Sequence, residues 1–215
     1  TSIGNYAFYN CSSLTSITIP DSVRSIGVSA FEDCNSLTGI TIPDGVTSIG
    51  NSAFRRCYSL TSIVIPDSVT SIGSYAFYGC SSLTSVTIGS GVTSIEKSAF
   101  ENCRSLTSIN IPDSVTSIGE RAFYNCNSLI NIVIPDNVTS IGTHAFYGCT
   151  SLDVVYYGGT ESDWAEISIG DSNNDLTAAT RYYYSETQPT EDGNFWHYAE
   201  DGVTPVIWTK ETDES

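Results

Sequence analysis

The stretch LTSITIPDSVRSIGVSAFEDCNS, residues 14–36, is a 23-residue unit that recurs along the chain. A fixed period between about 20 and 50 residues indicates a stacked repeat architecture, because a single repeat is too small to bury its own apolar face. Three residue types keep the 23-residue step without exception: Cys11, Cys34, Cys57, Cys80, Cys103, Cys126 and Cys149; Phe8, Phe31, Phe54, Phe77, Phe100, Phe123 and Phe146; and Leu14, Leu37, Leu60, Leu83, Leu106, Leu129 and Leu152.

Each copy predicts one coil built from four short pieces. Ile17 and Ile19 lie two residues apart in a β-branched run, which is the spacing of a strand with one buried face. Pro20 ends that strand because proline has no N–H to donate, and the following Asp-Ser favours a turn. Residues 23–26 predict a second short strand. Residues 29–34 predict a helical turn, since Phe31 and Cys34 lie three residues apart.

Stacked coils of this kind predict an α/β repeat fold: a right-handed leucine-rich-repeat solenoid with a parallel β-sheet, a 23-residue period, seven repeats and a C-terminal cap. Leu, Ile, Val, Ala, Phe and Cys then form columns along the interior. At a strand spacing of roughly 4.8 Å, seven coils give a rod about 35 Å long.

The repeated run I-G-x-x-A-F-x-x-C-x-S-L-x-x-[IV], first seen at residues 3–17, resembles the BspA-like, Treponema-type leucine-rich repeats. The resemblance covers residues 1–157. It implies a bacterial protein that is secreted or located at the cell surface, and some proteins with such repeats are adhesins for host proteins. Two departures from the pattern, Glu96 in place of Gly and Gly89-Ser90 in place of Pro-Asp, are expected to leave the inward-facing columns intact.

The chain divides into the solenoid, residues 1–157, and a cap with an acidic tail, residues 158–215. Thr160 and Asp163 match a helix capping box, and Trp164 and Ile167 predict one apolar helix face, so this helix is expected to cover the last coil with Trp164 against Phe146 and Leu152. A strand over residues 180–185 and a hairpin around the Asp-Gly of residues 201–202 follow. Residues 210–215 are expected to be a frayed acidic end.

The formal net charge is −16, and residues 158–215 hold 13 Asp/Glu against two Lys/Arg. An acidic chain repels phosphate, so nucleic acid and anionic membrane surfaces are poor partners. There is no apolar run of 18 residues, which argues against direct membrane insertion of this fragment. The chain has no Met and opens within a repeat, so we expect it to be part of a longer protein.

The seven cysteines are expected to be free, buried thiols. Side chains at equivalent positions of parallel coils point the same way about one strand spacing apart, whereas a disulfide needs Cβ atoms about 3.8 Å apart and turned toward each other. There is no C-x-x-C, and the chain has only two histidines, His144 and His197, so neither a metal site nor a cofactor is expected.

Aromatic side chains are the candidate binding residues. Around the predicted helical turn, such residues could anchor a partner or could cover apolar gaps while their hydroxyls stay in water. The outward face of the main strands, expected to be concave, is mostly Ser and Thr until its last coil. The cap aromatics could form a sugar-stacking platform or pack the hairpin. The candidates are Tyr75, Tyr78, Tyr124 and Tyr147 on the turns, Tyr156 on the strand face, and Trp196 and Trp208 in the cap.

Catalysis has no support in the sequence, since neither histidine lies in a nucleophile or base motif and no phosphate-binding loop occurs. We therefore predict a non-catalytic surface or secreted interaction module that binds a protein or a glycan. The alternative is a structural spacer that presents an upstream domain. An ordered, contiguous patch of exposed aromatic side chains would favour the first hypothesis.

Overall fold

The computed structural model describes residues 1–209, so the predicted acidic end at residues 210–215 lies outside the described residues. The chain winds into a solenoid of parallel strands, which confirms the fold predicted from the 23-residue period. From residue 62 onward, each coil contributes a strand to a main sheet, a two-residue strand to a second sheet, and a turn segment that returns the chain to the main sheet.

The main-sheet strands are β4 (Ser62–Ile65), β6 (Ser85–Ile88), β8 (Ser108–Asn110), β10 (Asn131–Ile134), β12 (Val154–Tyr157) and β14 (Thr180–Tyr184), extended by the hairpin β15 (Phe195–Tyr198) and β16 (Pro205–Ile207). The second-sheet strands are β1 (Ser2–Ile3), β2 (Ser25–Ile26), β3 (Ser48–Ile49), β5 (Ser71–Ile72), β7 (Ser94–Ile95), β9 (Ser117–Ile118), β11 (Ser140–Ile141) and β13 (Ser168–Ile169). The cap adds two short helices, α1 (Glu161–Ala165) and α2 (Asn174–Ala178).

The strand register places equivalent residues of neighbouring coils side by side. Ser2 pairs with Ser25 in the second sheet, and Ile132 pairs with Val155 in the main sheet, always 23 residues apart within the repeats. The alternating burial of β4 and β6 shows one face inside and one outside, as the spacing of their apolar residues predicts.

The turn segments are not helical, and that expectation from the sequence is wrong. Alternate amides within each segment donate in different directions. The N–H of Ala30 donates to Gly27 O of its own turn, whereas the N–H of Phe31 donates to Ala53 O of the next coil at 2.8 Å. Ser29 and Asp33 adopt left-handed backbone conformations, with φ of 50° and 62°. The segment thus forms a third set of hydrogen bonds between coils, which an α-helix, bonded only to itself, would not provide.

The interior contains one column of stacked phenylalanine rings with cysteine and leucine beside it. Adjacent Phe rings from Phe8 to Phe146 lie 5.1–5.6 Å apart between centroids. From the second repeat onward, these rings and the cysteines beside them are fully buried. Each buried thiol donates to a phenylalanine carbonyl of the preceding coil, as Cys57 Sγ does to Phe31 O at 3.2 Å. The same carbonyl also accepts the N–H of the cysteine of its own turn, as Phe31 O does from Cys34 N at 3.2 Å, so the thiol adds a second hydrogen bond as well as filling space.

Cys11 departs from the expectation that every thiol is buried. It is exposed because no coil precedes it in the described chain. The buried thiols lie in apolar surroundings, and burial raises the pKa of Cys34 to about 11 and that of Cys80 to about 12. Because the thiolate is the reactive form, the buried cysteines should be inert while the fold persists.

A thiol titration tests this arrangement. In the native protein at pH 8, Ellman's reagent should modify only Cys11 rapidly, because the other thiols are buried and held in the neutral form. Denaturation without reductant should expose all seven thiols. Rapid native modification of three or more thiols, or recovery of fewer than six after denaturation, would contradict the buried free-thiol column.

One coil is paired differently from its neighbours in the two sheets. Its main strand β6 pairs with the preceding β4 but not with the following β8, and its second strand β7 pairs with the following β9 but not with the preceding β5. Cα atoms of β6 and β8, and likewise of β5 and β7, still come within 8 Å of each other. This distance is too short for another strand to lie between them. This coil is the one in which the sequence departs from the repeat.

Glu96 explains the break in the second sheet. The other repeats place a glycine there, and its N–H donates to the preceding coil, as Gly119 N does to Ile95 O at 2.7 Å. A Cβ on Gly50 or Gly119 would lie 2.7 Å from backbone atoms of the preceding coil. Glu96 carries such a Cβ, so its coil stands away from β5. In the described chain no hydrogen bond joins Glu96 to Ile72, the equivalent partner.

The other departure, Gly89-Ser90, lets the segment between β6 and β7 approach the preceding coil closely. A Cβ on Gly89 would collide with the carbonyl of Pro66, and one on Gly91 would collide with that of Asp67. The N–H of Ser90 donates to the Asp67 carboxylate at 2.7 Å. Glycine thus permits a close approach at this corner while Glu96 prevents one at the next, and the two together account for the uneven pairing of this coil. The inward-facing columns stay intact, as expected.

Replacing Glu96 by glycine should restore the missing ladder. The amides of Thr93 and residue 96 should then donate to the preceding coil. Their hydrogen-exchange rates, corrected for intrinsic rates, should fall about fivefold to tenfold, because one such hydrogen bond contributes about 1 kcal/mol. Glu96→Ala is the matched control, since it removes the carboxylate but keeps the Cβ, and it should leave both amides unprotected. Equal protection in the two variants would refute the steric explanation.

The cap continues the solenoid rather than ending it at once. Strand β13 pairs in parallel with β11, and β14 pairs with β12, so residues 158–184 form an eighth turn. Helix α1 has the predicted capping box between Thr160 and Asp163. Trp164 is buried, with its ring edge-on to Tyr157 at 5.2 Å, in the same apolar core as Phe146 and Leu152. The division of the chain at residue 157 stays a prediction.

The Asp-Gly hairpin forms as predicted, and its tip reaches back along the main sheet. Strands β15 and β16 pair antiparallel, and β15 joins the sheet beside β14. The Nδ2 of Asn110 donates to Val203 O at 2.8 Å, a contact that spans 93 residues of chain. The hairpin tip therefore lies over the gap between β6 and β8, and a groove lies between the tip and these two strands.

Candidate binding surfaces

The turn face is the surface built by two side chains of each turn segment: the residue before the conserved alanine and the residue after the conserved phenylalanine. The first of these is in the left-handed conformation in every repeat, with φ between 50° and 61°. Its N–H donates to the next coil, as Tyr75 N does to Lys97 O at 2.9 Å. The backbone beneath the turn face is therefore held on every coil.

The predicted row Tyr75, Tyr78, Tyr124 and Tyr147 lies on this face but is not continuous. Tyr75 and Tyr78 form one pair, with ring centroids 6.1 Å apart. Tyr124 and Tyr147 belong to a second group, stacked at 5.2 Å. Between the two groups lies a coil whose turn-face residues are Ser98 and Glu101, both buried.

The second group also contains His144, which was not among the candidate binding residues predicted from the sequence. The His144 ring lies 5.7 Å from that of Tyr147 and 6.4 Å from that of Tyr124. Tyr147 is 48% exposed. We name Tyr124, His144 and Tyr147 the aromatic cluster. From the sequence, His144 was identified only as one of two histidines that lie outside any nucleophile or base motif.

Arginines flank both groups of rings. The Arg55 guanidinium lies over Tyr78 at 5.2 Å, and that of Arg121 lies over Tyr124 at 5.4 Å. Such contacts stabilise the ring by about 0.5–1 kcal/mol at exposed sites and restrict its orientation. Arg55 is also held by Glu32, with an Nη1–Oε1 distance of 2.6 Å.

A third aromatic pair on the turn face was missed as a candidate. Tyr6 and Tyr9 occupy the two turn-face positions of the first repeat, with ring centroids 5.9 Å apart. They are 59% and 48% exposed. Tyr6 and Tyr9 occupy the same repeat positions as Tyr75 and Tyr78, so the sequence alone could have identified them as candidates.

The main-sheet face offers a groove of about 510 Å³ between β6 and β8 under the hairpin tip. Its lining combines hydroxyl-rich strand residues such as Ser85 and Ser108 with Tyr198 and Val203 of the hairpin. Tyr156, the candidate on this face, is half-buried against Tyr182 and Trp196, and burial raises the pKa of its phenol. The Tyr156 ring therefore packs against the cap on one side and remains partly exposed to solvent.

The two cap tryptophans differ in accessibility. Trp196 is fully buried, and its Nε1 donates to Tyr157 O at 2.8 Å, so its predicted part in ligand binding is wrong. It packs the hairpin onto the sheet, which was the alternative interpretation. Trp208 is half-buried, stacked 3.9 Å from the His197 ring, with its Nε1 donating to Ser185 O. It keeps one edge toward solvent.

Within residues 1–209, no three His, Cys, Asp or Glu side chains come together in a way that could hold a metal ion. The same range contains no helix with the length and apolar character needed to cross a bilayer. His197 Nδ1 contacts the carbonyl of its neighbour Tyr198 at 2.8 Å. The surfaces that the described chain offers are thus aromatic and hydroxyl-bearing.

The fold, the 23-residue period and the stacked Phe-Cys-Leu columns define a leucine-rich repeat protein. The chain belongs to the BspA type leucine-rich repeat family, whose model matches residues 1–129 and 47–168. This family is surface-associated, leucine-rich repeat proteins are generally non-enzymatic, and they typically bind proteins. No curated protein shows a significant match to the chain.

Solved bacterial structures share the fold. A Treponema pallidum leucine-rich repeat protein is 35% identical, with a TM-score of 0.66 over 71% of each chain. A leucine-rich repeat protein from Bacteroides ovatus is 32% identical, with a TM-score of 0.63 over 83% of this chain and 51% of that one. A leucine-rich cell surface protein from Faecalibacterium prausnitzii is 28% identical, with a TM-score of 0.60 over 77% of this chain and 65% of that one.

Proposed function

We propose that this chain is an adhesin-like, non-catalytic interaction module of a bacterial cell-surface or secreted protein, and that it binds a protein or glycan through the turn face. The observation that carries the proposal is the aromatic cluster, three adjacent rings on a backbone hydrogen-bonded to the coils beside it. Tyrosine and arginine are the residue types enriched among binding hot spots, and Arg121 adjoins the cluster.

Rigidity strengthens this proposal. The N–H of Arg121 donates to Thr143 O at 3.1 Å, and that of His144 donates to Asp171 O at 2.9 Å. The rings also contact one another, so few side-chain rotamers remain to be lost on binding. A pre-ordered aromatic surface avoids much of the entropic cost that a flexible side chain would incur, about 0.5–1.5 kcal/mol for each one immobilised.

The relatives support the proposed location. The Faecalibacterium prausnitzii protein is described as a leucine-rich cell surface protein, and this chain spans 65% of its length. The Bacteroides ovatus protein is matched over 51% of its length. This chain thus spans less than two thirds of the length of each of these two relatives.

The charge distribution narrows the choice of partner. A net charge of −16 disfavours nucleic acid and anionic lipid surfaces. However, Arg55 on the turn face, and Arg56 and Lys97 beside it, are paired with nearby carboxylates, so the charge of this surface is locally balanced. A neutral or mixed-charge partner suits the turn face better than a polyanion does.

A binding assay with paired variants tests the proposal. The purified chain and a Tyr124→Ser/Tyr147→Ser variant are compared on immobilised host-matrix proteins and a glycan array. The variant should lose at least about 30-fold in affinity, because the loss of even one hot-spot ring costs about 2 kcal/mol or more. Tyr58→Ser, which removes an exposed tyrosine outside the cluster, should bind like the parent chain.

Both variants must first show the parental circular dichroism spectrum and melting temperature. Binding that survives in the double variant would refute the turn face as the site and direct attention to the groove between β6 and β8. Absence of binding by the parent chain across both panels would refute the interaction module and leave the spacer hypothesis, in which the solenoid presents another part of the protein.

A further inference from the structure

Three turn segments carry a pair of aromatic rings, and these pairs are evenly spaced. Each pair occupies both turn-face positions of its coil, and each follows the previous one after three repeats. The ring centroids within the pairs are 5.9, 6.1 and 5.7 Å apart. The three aromatic pairs are Tyr6–Tyr9, Tyr75–Tyr78 and His144–Tyr147.

The backbone register places the three pairs on one line along the solenoid. The first residue of each turn segment donates its N–H to the next coil throughout, from Tyr6 to Val28 O at 2.9 Å up to His144 to Asp171 O at 2.9 Å. Adjacent Phe rings beneath the turns differ in orientation by 2–5° from Phe8 to Phe123 and by 19° from Phe123 to Phe146. Little rotation accumulates, so neighbouring pairs lie about 15 Å apart, or three coil steps.

The surface between the pairs is formed mainly by small or charge-balanced side chains. Ser29 and Ser98, at the position of the first aromatic residue, are buried. Glu32 is paired with Arg55, and Lys97 is paired with Glu120 at 2.9 Å. The aromatic pairs are thus separate contact points on an otherwise low and nearly neutral surface.

We propose that the three aromatic pairs bind one extended chain of a neutral, linear, β-linked polysaccharide that runs along the solenoid axis; this deepens the proposed function and rests on it. The apolar C–H faces of sugar rings stack on tyrosine, while phenol and serine hydroxyls hydrogen-bond the sugar hydroxyls. Each ring of such a chain advances by about one coil spacing, so every third ring meets an aromatic pair.

A polymer explains the spacing better than a globular partner does. A protein interface needs one contiguous patch of about 800 Å² on each side with a central cluster of anchors. Here four coils separate the anchors; three of them carry no aromatic side chain at the turn-face positions, and the fourth carries Tyr124, which stacks on the last pair. A polysaccharide repeats its contact at each pair, and the linked contacts reinforce one another through effective concentration. Protein binding to the aromatic cluster alone is the competing outcome.

A length series of soluble, neutral, β-linked glucan, mannan and xylan oligosaccharides tests the inference by calorimetry. For the sugar that binds, affinity should rise at least about tenfold once the oligosaccharide is long enough, about four consecutive rings, to reach two pairs. A second rise should follow when it reaches the third pair. Affinity that is independent of length, or no binding by any member of the series, would overturn the inference.

Removing the middle pair sharpens the test. In Tyr75→Ser/Tyr78→Ser, the rise in affinity at about four rings should disappear, and the only rise should come at about seven rings, where the oligosaccharide reaches from the first pair to the third. The shortest oligosaccharide should still bind weakly at the aromatic cluster. Val64→Ser, which removes an exposed apolar side chain from the main-sheet face, should keep the full length dependence. Retention of the rise at about four rings by the middle-pair variant would refute the line of contacts.

The two proposals can fail separately. If the parent chain binds a host-matrix protein, the Tyr124→Ser/Tyr147→Ser variant loses that binding, and no linear glycan binds, then the interaction module stands and the polysaccharide inference is refuted. If neither a protein nor a glycan binds the parent chain, both are refuted.

Discussion

In-register stacking of identical residues is the constraint on which this structure depends. Each inward side chain is covered by its equivalent 23 residues along, so Phe54 is buried by Phe31 and Phe77 and by little else that is distant in sequence. A coil cannot be stable alone, and the stability of the solenoid is approximately a sum of neighbour interfaces. The hydrogen bonds of the two sheets and of the turn segments also join neighbouring coils, and so does the bond from the thiol of Cys57 to Phe31 O. The ends need separate solutions: Trp164 and the eighth turn cover one end, while Cys11 at the other is exposed.

Much of this fold could be predicted from the sequence because the same residue pattern recurs in every repeat, so a strand or core position that is ambiguous in one copy is clear from the others. The columns of Phe, Cys and Leu, the parallel register, the capping box at Thr160 and the Asp-Gly hairpin were all predictable from spacing and residue type. The turn segment was not, since Phe31 and Cys34 are three apart both in a helix and in the observed turns. A signal was present in the second left-handed position, where Asn, Asp or Gly occurs in nearly every copy, as at Asn10, Asp33 and Gly79.

Other features depend on contacts that one repeat does not encode. Glu96 interrupts the second sheet only because the backbone of the preceding coil lies against the equivalent glycines. The hairpin tip meets Asn110 across 93 residues, and Trp196 is enclosed by strands from distant parts of the chain. Residue type alone suggested a sugar platform for Trp196, whereas burial decides between packing and binding. The candidate tyrosines were located correctly on the turns, but their separation into groups depended on the burial of Ser98 and Glu101.

The left-handed residue before each alanine has a consequence for how such proteins diversify. Any residue except glycine bears a similar conformational cost there, about 1 kcal/mol or more, and the fold already meets that cost in every coil. Tyr, Ser, Arg and His all occupy this position in a single chain without altering the hydrogen bonds beneath. Exchange of the side chain is therefore nearly neutral for folding while it changes the chemistry of the outer surface. The scaffold can acquire new recognition properties one coil at a time, and duplication of a coil would shift the distance between contact points by one fixed increment.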